Sequence, residues 1–584
     1  MKRYVLLWVL AVSALPGQKT GDDVVVRAMR DELERSRKLS ISDLEKPYYI
    51  EYTLDDVTSF SVSASLGAVT SKGENRYRVP RVRVRVGDYK FDNTNYLLTD
   101  LFGGGGSDSL TIDDDYGVLR RGWWLATDRA YKGALEAIAR KRAALKNMTQ
   151  PEELADFWKS QPAQQMQAGA ASAGGFNAWE GRVRSLSSVF GSYPEVLSSS
   201  VSFGGTRSTF YMHNSEGTLL RRPEPLLHLQ VQAFAYAPDG SVVRDSRSVP
   251  ANEEAELPSE AELRKTVAAV AENVRALLKA PAGESYSGPV LFEGLAGAQI
   301  MAELLVPNLA AGRKPIGEPG RPVPFLPSEF EGRVDSRVLP EFLDVVDDPT
   351  QKTWNDIALI GHYEVDEEGV TPKPLTVIEK GRFKTFLLTR LPIRGFEASN
   401  GRARMPGAFG SRAASASNLF IKSSESVKSA ELKARLLKMI ADRNKPYGIV
   451  VRRMDFPSAA PSEEVRRLMM ASSQSGAARP VSSPVMVYKV FPDGREELVR
   501  GIRFRGLNAR SLRDITAVSE ELSVLHYLNN QAPMALQSAG GYVAPISVIA
   551  PSVLFDELEL ERPKDDLPKL PLVPPPALTA FTSK

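Results

Sequence analysis

Two counts bound the chemistry open to this chain of 584 residues: four histidines, His213, His228, His362 and His526, and no cysteine. Without thiols there can be no disulfide, thiolate zinc site, iron–sulfur cluster or cysteine nucleophile. No two imidazoles stand three or four residues apart, so no helix presents a pair of them on one face. A serine hydrolase would need one of these isolated histidines, and the chain has no G-x-S-x-G elbow. His362, Glu364 and Asp366 share a strand face at period two. They form either an imidazole–carboxylate set suited to zinc or manganese, or polar residues leading into a turn.

Other carboxylates cluster at Asp113-Asp114-Asp115, at Asp344, Asp347 and Asp348, and at Asp366-Glu367-Glu368. A hard cation takes such oxygens, but none of these groups has calcium-loop spacing, and turns use the same residues for capping. Arg81, Arg83 and Arg85 alternate with valines, which puts three guanidinium groups on one strand face. That face is either a polyanion contact or a solvated outer surface, and no aromatic platform accompanies it. The run Gly103 to Gly106 lacks the Lys-Ser or Lys-Thr and the following helix of a phosphate cradle, and reads as a turn.

The elements that must position these groups belong to a globular protein of at least two large domains. Lys plus Arg number 74 against 71 Asp plus Glu, a net charge of +3, and 42% of residues are hydrophobic. This balance carries no electrostatic footprint for nucleic acid. Lys2 and Arg3 precede an apolar run over 4–15 with small residues at Val12-Ser13-Ala14, the pattern of a signal peptide over 1–17 and of a periplasmic or secreted protein. No later apolar run is long enough to span a bilayer after cleavage.

The mature chain divides into an α+β domain over 18–285 and a β-rich domain over 286–560, followed by a Pro- and Lys-rich extended tail over 561–584. Helical periodicity predicts helices over 22–38, 123–147, 178–186 and 260–279, the last opened by Ser259 and Glu262 as a capping box. Alternation predicts strands over 49–54, 59–66, 77–86, 201–222 and 227–237, then shorter ones over 342–346, 375–379, 383–388, 447–454, 485–491 and 498–504. Stretches 160–176, 400–417 and 457–483 have no periodicity and read as loops.

A set of motifs in succession resembles the TldD/PmbA proteins, also called modulators of DNA gyrase. They are 289–312 (PVLFEGLAGAQIMAELLVPNLAAG), 345–350 (VVDDPT), 366–370 (DEEGV), 377–387 (VIEKGRFKTFL), 211–218 (YMHNSEGT), 417–419 (SNL) and 494–515 (GREELVRGIRFRGLNARSLRDI). The resemblance covers about 200–555. It implies the family's two-domain α+β architecture, with an N-terminal mixed sheet, long amphipathic helices and a β-rich C-terminal domain.

It also implies a metallopeptidase ancestry: a helix carries HExxxH, both imidazoles and a later cysteine bind zinc, and the glutamate activates water. A zinc-bound water loses a proton near neutral pH and can then attack a peptide carbonyl. In this chain the window is 302–307, where Glu303 matches and Ala302 and Pro307 replace the imidazoles. Neither replacement has a lone pair for a metal. The resemblance therefore implies a PmbA-like member with no cofactor of its own, zinc being held by a partner subunit. The partner is an HExxxH-bearing TldD-like paralogue or a second copy, and the substrate a peptide, with no nucleic acid involved. Glu303 is either an ordinary residue near the end of a helix broken by Pro307, or a residual general base. Asn400, Arg402 and Arg404 lie in a basic loop expected to be mobile and to gate or contact the peptide.

Overall fold

The structure, a computed structural model, describes residues 23–96, 110–146, 153–168, 177–317, 325, 327–406, 412–455, 481–529 and 544–562. The expected signal peptide, the four-glycine run, residues 169–176, most of 457–483 and nearly all of the tail lie outside the described residues.

The first half is a sheet backed by helices. Strands β1 (Pro47–Ser65) and β2 (Ala68–Val86) are single elements of 19 residues where the sequence suggested shorter pieces. They are joined at Leu66 and Gly67, both at positive φ (49° and 83°), the pairing that a tight hairpin needs. Short β3 (Gln164–Met166), inside the stretch read as a loop, pairs in parallel with β5 (Leu219–Tyr236). With β4 (Ser198–Asn214) the order is β2-β1-β4-β5-β3, and β6 (Val242–Ala251) also pairs with β5.

Helices α1 (Val24–Ser36) and α2 (Tyr116–Leu145) are N-capped by Asp23 and Asp115. They bury Met29, Leu33, Trp123 and Tyr131 against one end of the sheet. Helices α3 (Asn177–Ser187) and α4 (Glu260–Lys279) cover the other end, where Trp179 stacks on Phe203 with centroids 3.8 Å apart. The capping box of Ser259 and Glu262 forms as the sequence predicts.

The second half is built on β7 (Tyr286–Phe292), which turns into α5 (Leu295–Leu309). Then come β8 (Leu343–Asp347), β9 (Thr353–Trp354), β10 (Ile357–Ala358), β11 (Leu375–Glu379), β12 (Arg382–Phe383), β13 (Ala403–Pro406), β14 (Arg412–Ala414) and β15 (Asn418–Ser423). Helix α6 (Ser429–Asp442) leads to β16 (Gly448–Met454), β17 (Pro484–Val490), β18 (Glu496–Val499), β19 (Arg503–Arg505), β20 (Ile515–Asn529) and β21 (Ala544–Glu561). Eleven of these strands form one sheet, in the order β12-β11-β8-β15-β21-β7-β16-β17-β18, with β19 and β20 also on β21. Val290 and Phe292 point into the core under α5, and Leu291 into a second cluster under α6, so β7 is buried on both faces. That double burial is why its apolar run is continuous rather than alternating.

The two halves meet through buried charge. Arg390 donates through Nε to the Trp158 carbonyl and pairs with Glu216 at 2.7 Å. The Phe157 ring has the Arg85 and Arg390 guanidinium carbons 3.7 and 4.0 Å from its centroid. Arg81, Arg83 and Arg85 are not a solvated outer face: they pair with Asp55, Glu51 and Asp92, and all three side chains are mostly covered. The C-terminal domain docks on that side of the sheet, bringing Arg412 and Glu367 (2.6 Å) over it, and docking was invisible in the alternation itself.

Candidate functional site

Helix α5 begins at Gly294, whose φ of 57° lets β7 reverse into a helix, a conformation that a side chain would strain. The helix is apolar and buried almost throughout. Leu295, Gln299, Glu303 and Pro307 recur every four residues and therefore share one side. Leu295, Glu303 and Pro307 are the residues of α5 that are not fully buried.

Glu303 is held at both oxygens. Gln299, one turn earlier, donates from Nε2 to Oε1 at 2.7 Å, and the Ser482 backbone N–H donates to Oε2 at 2.6 Å. Gln299 Nε2 also reaches the Asp455 carbonyl at 2.6 Å, so one glutamine–glutamate pair ties both ends of the segment between 455 and 481 to the helix. The Asp455 carboxylate pairs in turn with Arg244 of β6, linking the site to the N-terminal sheet. Burial pushes the Glu303 carboxyl up to about 7, and the negative Asp455 adds to the rise against the hydrogen bonds donated by Ser482 and Gln299. Tyr527 of β20 lies close enough to feel that charge, and burial holds its phenol well above the ordinary range.

Ala302 is in the hydrophobic core at 2% exposure, and Pro307 lies within the helix. Pro307 does not break the helix at that point, as the sequence suggested. The helix runs to Leu309, because a proline in the last turn forfeits only one i→i−4 bond, and Asn308 Nδ2 caps the Leu304 carbonyl at 2.9 Å. A methyl group in the core and a pyrrolidine ring do not fit a zinc ion beside Glu303.

The His362 cluster does not converge. His362 Nδ1 bonds the Pro349 carbonyl at 2.8 Å, and the Glu364 carboxylate accepts from Gln165 and Gln167. Asp366 accepts backbone N–H groups of Glu368, Val370 and Ala403. Burial and neighbouring Glu368 raise its carboxyl to about 7. Among the described residues no group of three or more His, Cys, Asp or Glu side chains is placed to hold a metal ion. His526 bonds Ser547 Oγ, and burial pulls it down to about 4.

Asn400, Arg402 and Arg404 are not a mobile loop. Asn400 accepts from the Leu388 N–H and donates to the Phe386 carbonyl. Arg402 is fully buried, its Nε on Asp347 Oδ2 at 2.8 Å and its NH2 on the carbonyls of Asp347 and Lys373. Arg404 stacks over Tyr363, 4.3 Å from the ring centroid. Arginine-rich composition suggested solvent exposure, but Asn400 and Arg402 bond other segments, Arg404 lies on an aromatic ring, and 403–406 form β13. Residues 407–411 lie outside the described residues.

Sequence reasoning singled out Glu303 but not Asp455, Ser482 or Tyr527, which surround it from remote segments, nor Arg244, which pairs with Asp455. Only Gln299 had a local signal, its spacing of four from Glu303.

With this geometry in hand, comparison with known proteins is direct. Residues 285–461 match the family described as PmbA/TldA metallopeptidase C-terminal domain. No curated protein matches the chain. A protein from Thermotoga maritima bearing the name modulator of a DNA gyrase is similar in structure at a TM-score of 0.56 and 14% identity, over 91% of this chain and 99% of that one. TldE from Thermococcus kodakarensis gives 0.56 and 12%, with the same coverage. A modulator of DNA gyrase from Bacteroides thetaiotaomicron gives 0.55 and 10%, over 94% and 100%. The chain thus shares their fold, α+β in two parts, over at least 91% of its length.

Proposed function

From the premise that this chain is a TldD/PmbA-family protein, we propose that it is an exported, metal-free member that binds peptides for a proteolytic partner rather than cleaving them itself. The observation carrying this reading is the state of α5: Glu303, which the sequence resemblance sets at the family's glutamate, lies between a core alanine and a proline, in a chain without cysteine. In this reading Glu303 is a positioning residue. Both its oxygens accept fixed N–H groups, so its task is to hold the chain at 455 and 482 against the helix. Zinc belongs to the partner, an HExxxH-bearing paralogue, or a second copy completes the assembly. The N-terminal charged and apolar run supports export. Among the described residues no helix is long and apolar enough to cross a membrane.

The test is metal analysis and peptide hydrolysis by the purified full-length chain, alone and co-expressed with an exported HExxxH-bearing paralogue. The expected result is no stoichiometric zinc and no hydrolysis alone, with both present in a co-purified complex. Stoichiometric metal in the isolated chain, with hydrolysis abolished by Glu303→Gln, would overturn the reading in favour of an active peptidase.

A further inference from the structure

Strand β2 is one edge of the N-terminal sheet, bonded to β1 on one side only. Its ladder with β1 is regular from Ser71 to Val79, between a bulge at Thr70 and the donor-less Pro80. Residues 71, 72 and 74–77 are exposed, and among the described residues no backbone hydrogen bond from another segment reaches them. In an antiparallel edge strand every second residue turns its N–H and C=O away from the neighbour, so this stretch presents unpaired donors and acceptors to solvent.

Proteins keep such an edge from pairing with charge of one sign, most often lysine. On β2 the signs alternate. Lys72, Glu74 and Arg76 lie on the helix-covered side of the sheet, opposite Val62, Phe60 and Thr58 of β1, while Ser71, Gly73, Asn75 and Tyr77 lie on the other side. When a second copy of the strand pairs antiparallel about a two-fold axis at one residue, positions equally far before and after that residue meet on the same face. An axis at Lys72, Glu74 or Arg76 sets that residue on its own copy, like charge on like. An axis at Gly73 or Asn75 sets opposite signs together, Lys72 against Glu74 twice or Glu74 against Arg76 twice.

The contacts already present favour Asn75. Lys72 is paired with Glu180 at 3.0 Å, whereas Arg76 stands 3.6 Å from Asp56, a carboxylate that Arg78 already holds at 2.7 Å. Arg76 is therefore the better cation to offer. An axis at Asn75 also lays Tyr77, whose ring is exposed, over Gly73 of the second copy, a position with no side chain of its own. Lys72 then meets Arg78, and each is neutralised within its own chain, by Glu180 and by Asp56 and Asp114.

We propose that a second copy of this chain pairs antiparallel with β2 along 73–77, about a two-fold axis at Asn75, joining the two N-terminal sheets into one. A short seam of backbone hydrogen bonds and two exposed ion pairs make a weak dimer that salt loosens. The pairing needs neither zinc nor peptide, so its failure leaves the metal-free reading above standing.

Sedimentation velocity of the full-length chain at low salt, over about 1–100 μM, tests it. A dimer that grows with concentration and recedes at high salt is expected. Arg76→Glu makes the edge acidic at 74 and 76, and Glu74→Lys makes it basic there, so each variant alone should dimerise at least about tenfold more weakly. Mixed in equal amounts they should regain a heterodimer, because each acidic position then faces a basic one. Unfolding midpoints of both variants show that they fold. Since the chain has no cysteine, a single introduced thiol reads the register. Two copies of Asn75→Cys would hold their Cα atoms about 4.5–5.5 Å apart, within disulfide reach, and two copies of Tyr77→Cys about 13–14 Å apart along the strands. Oxidation should cross-link the first and not the second. A wild type that stays monomeric throughout overturns the proposal, as does unchanged association in folded Glu74→Lys or cross-linking at 77 in place of 75. So does association that Glu74→Lys weakens and Arg76→Glu does not, which would set the axis at Gly73.

Discussion

Glu303→Gln isolates the free energy stored at the centre of the candidate site. The folded-state carboxyl titrates at about 7, above the ordinary 4.5, so the folded protein retains a proton that the unfolded chain releases. Well below pH 4.5 both states are protonated and the residue costs nothing. Between 4.5 and 7 the unfolded chain ionises first and stability is lost progressively; above 7 the loss levels off at about 3 kcal/mol. A glutamine side chain has no proton to lose, so it escapes this pH-dependent cost. It does place an amide where two N–H donors now converge, at a cost of about 1–3 kcal/mol at every pH.

The variant is therefore expected to be less stable than wild type at pH 5. It should recover about 2–3 kcal/mol relative to wild type by pH 8, becoming about as stable or more so. Urea unfolding of both full-length proteins at the two pH values, followed by tryptophan fluorescence, measures the double difference. The wild-type-minus-variant infrared spectrum should show a protonated carboxyl stretch near neutral pH, the Asp366 signal being common to both proteins and cancelling. A stability difference that is the same at pH 5 and pH 8 to within about 0.5 kcal/mol would refute the reasoning, because it would mean that Glu303 titrates normally.

Further outcomes follow from particular contacts. Arg402→Ala leaves Asp347 charged and buried at 0% exposure, with only Ser417 to hold it, and should cost about 3–5 kcal/mol in urea unfolding. Arg402→Lys should not rescue it, since an ammonium cannot reproduce the fork that spans Asp347 and Lys373. Gly297→Ala would put a methyl carbon 2.6 Å from the Pro551 carbonyl oxygen and 2.9 Å from Ser552 Cα, prising α5 off β21. An unfolding loss of about 1–3 kcal/mol is expected, and a neutral effect would mean that the helix can shift freely.

Elements built from local signals were legible in the chain. Helix α4 and its capping box need only Ser259, Glu262 and the apolar spacing that follows, all within 20 residues or so. The 302–307 window carried no such local signal and was assigned only through the resemblance to the TldD/PmbA proteins. Strand β21 was not legible either: Pro545, Ser547, Pro551 and Ser552 interrupt its apolar run, and β7, β15 and β20 flank it while both faces are buried, so neither alternation nor a loop signature marks it. Helix α6 was also missed, though its buried stripe of Leu432, Leu436 and Ile440 has regular four-residue spacing.

By itself, then, the sequence excluded thiol chemistry and placed helices such as α4, because residue type and near-neighbour spacing suffice for each. Only the tertiary structure decided that Arg402 is an interior ion-pair partner rather than a loop cation, and that Arg83 lies under a docked domain. It also decided that Glu303 holds a proton near neutrality. Burial, dielectric environment and facing charge depend on residues up to about 150 to 180 positions away, Asp455 and Ser482 among them, and no local pattern encodes those.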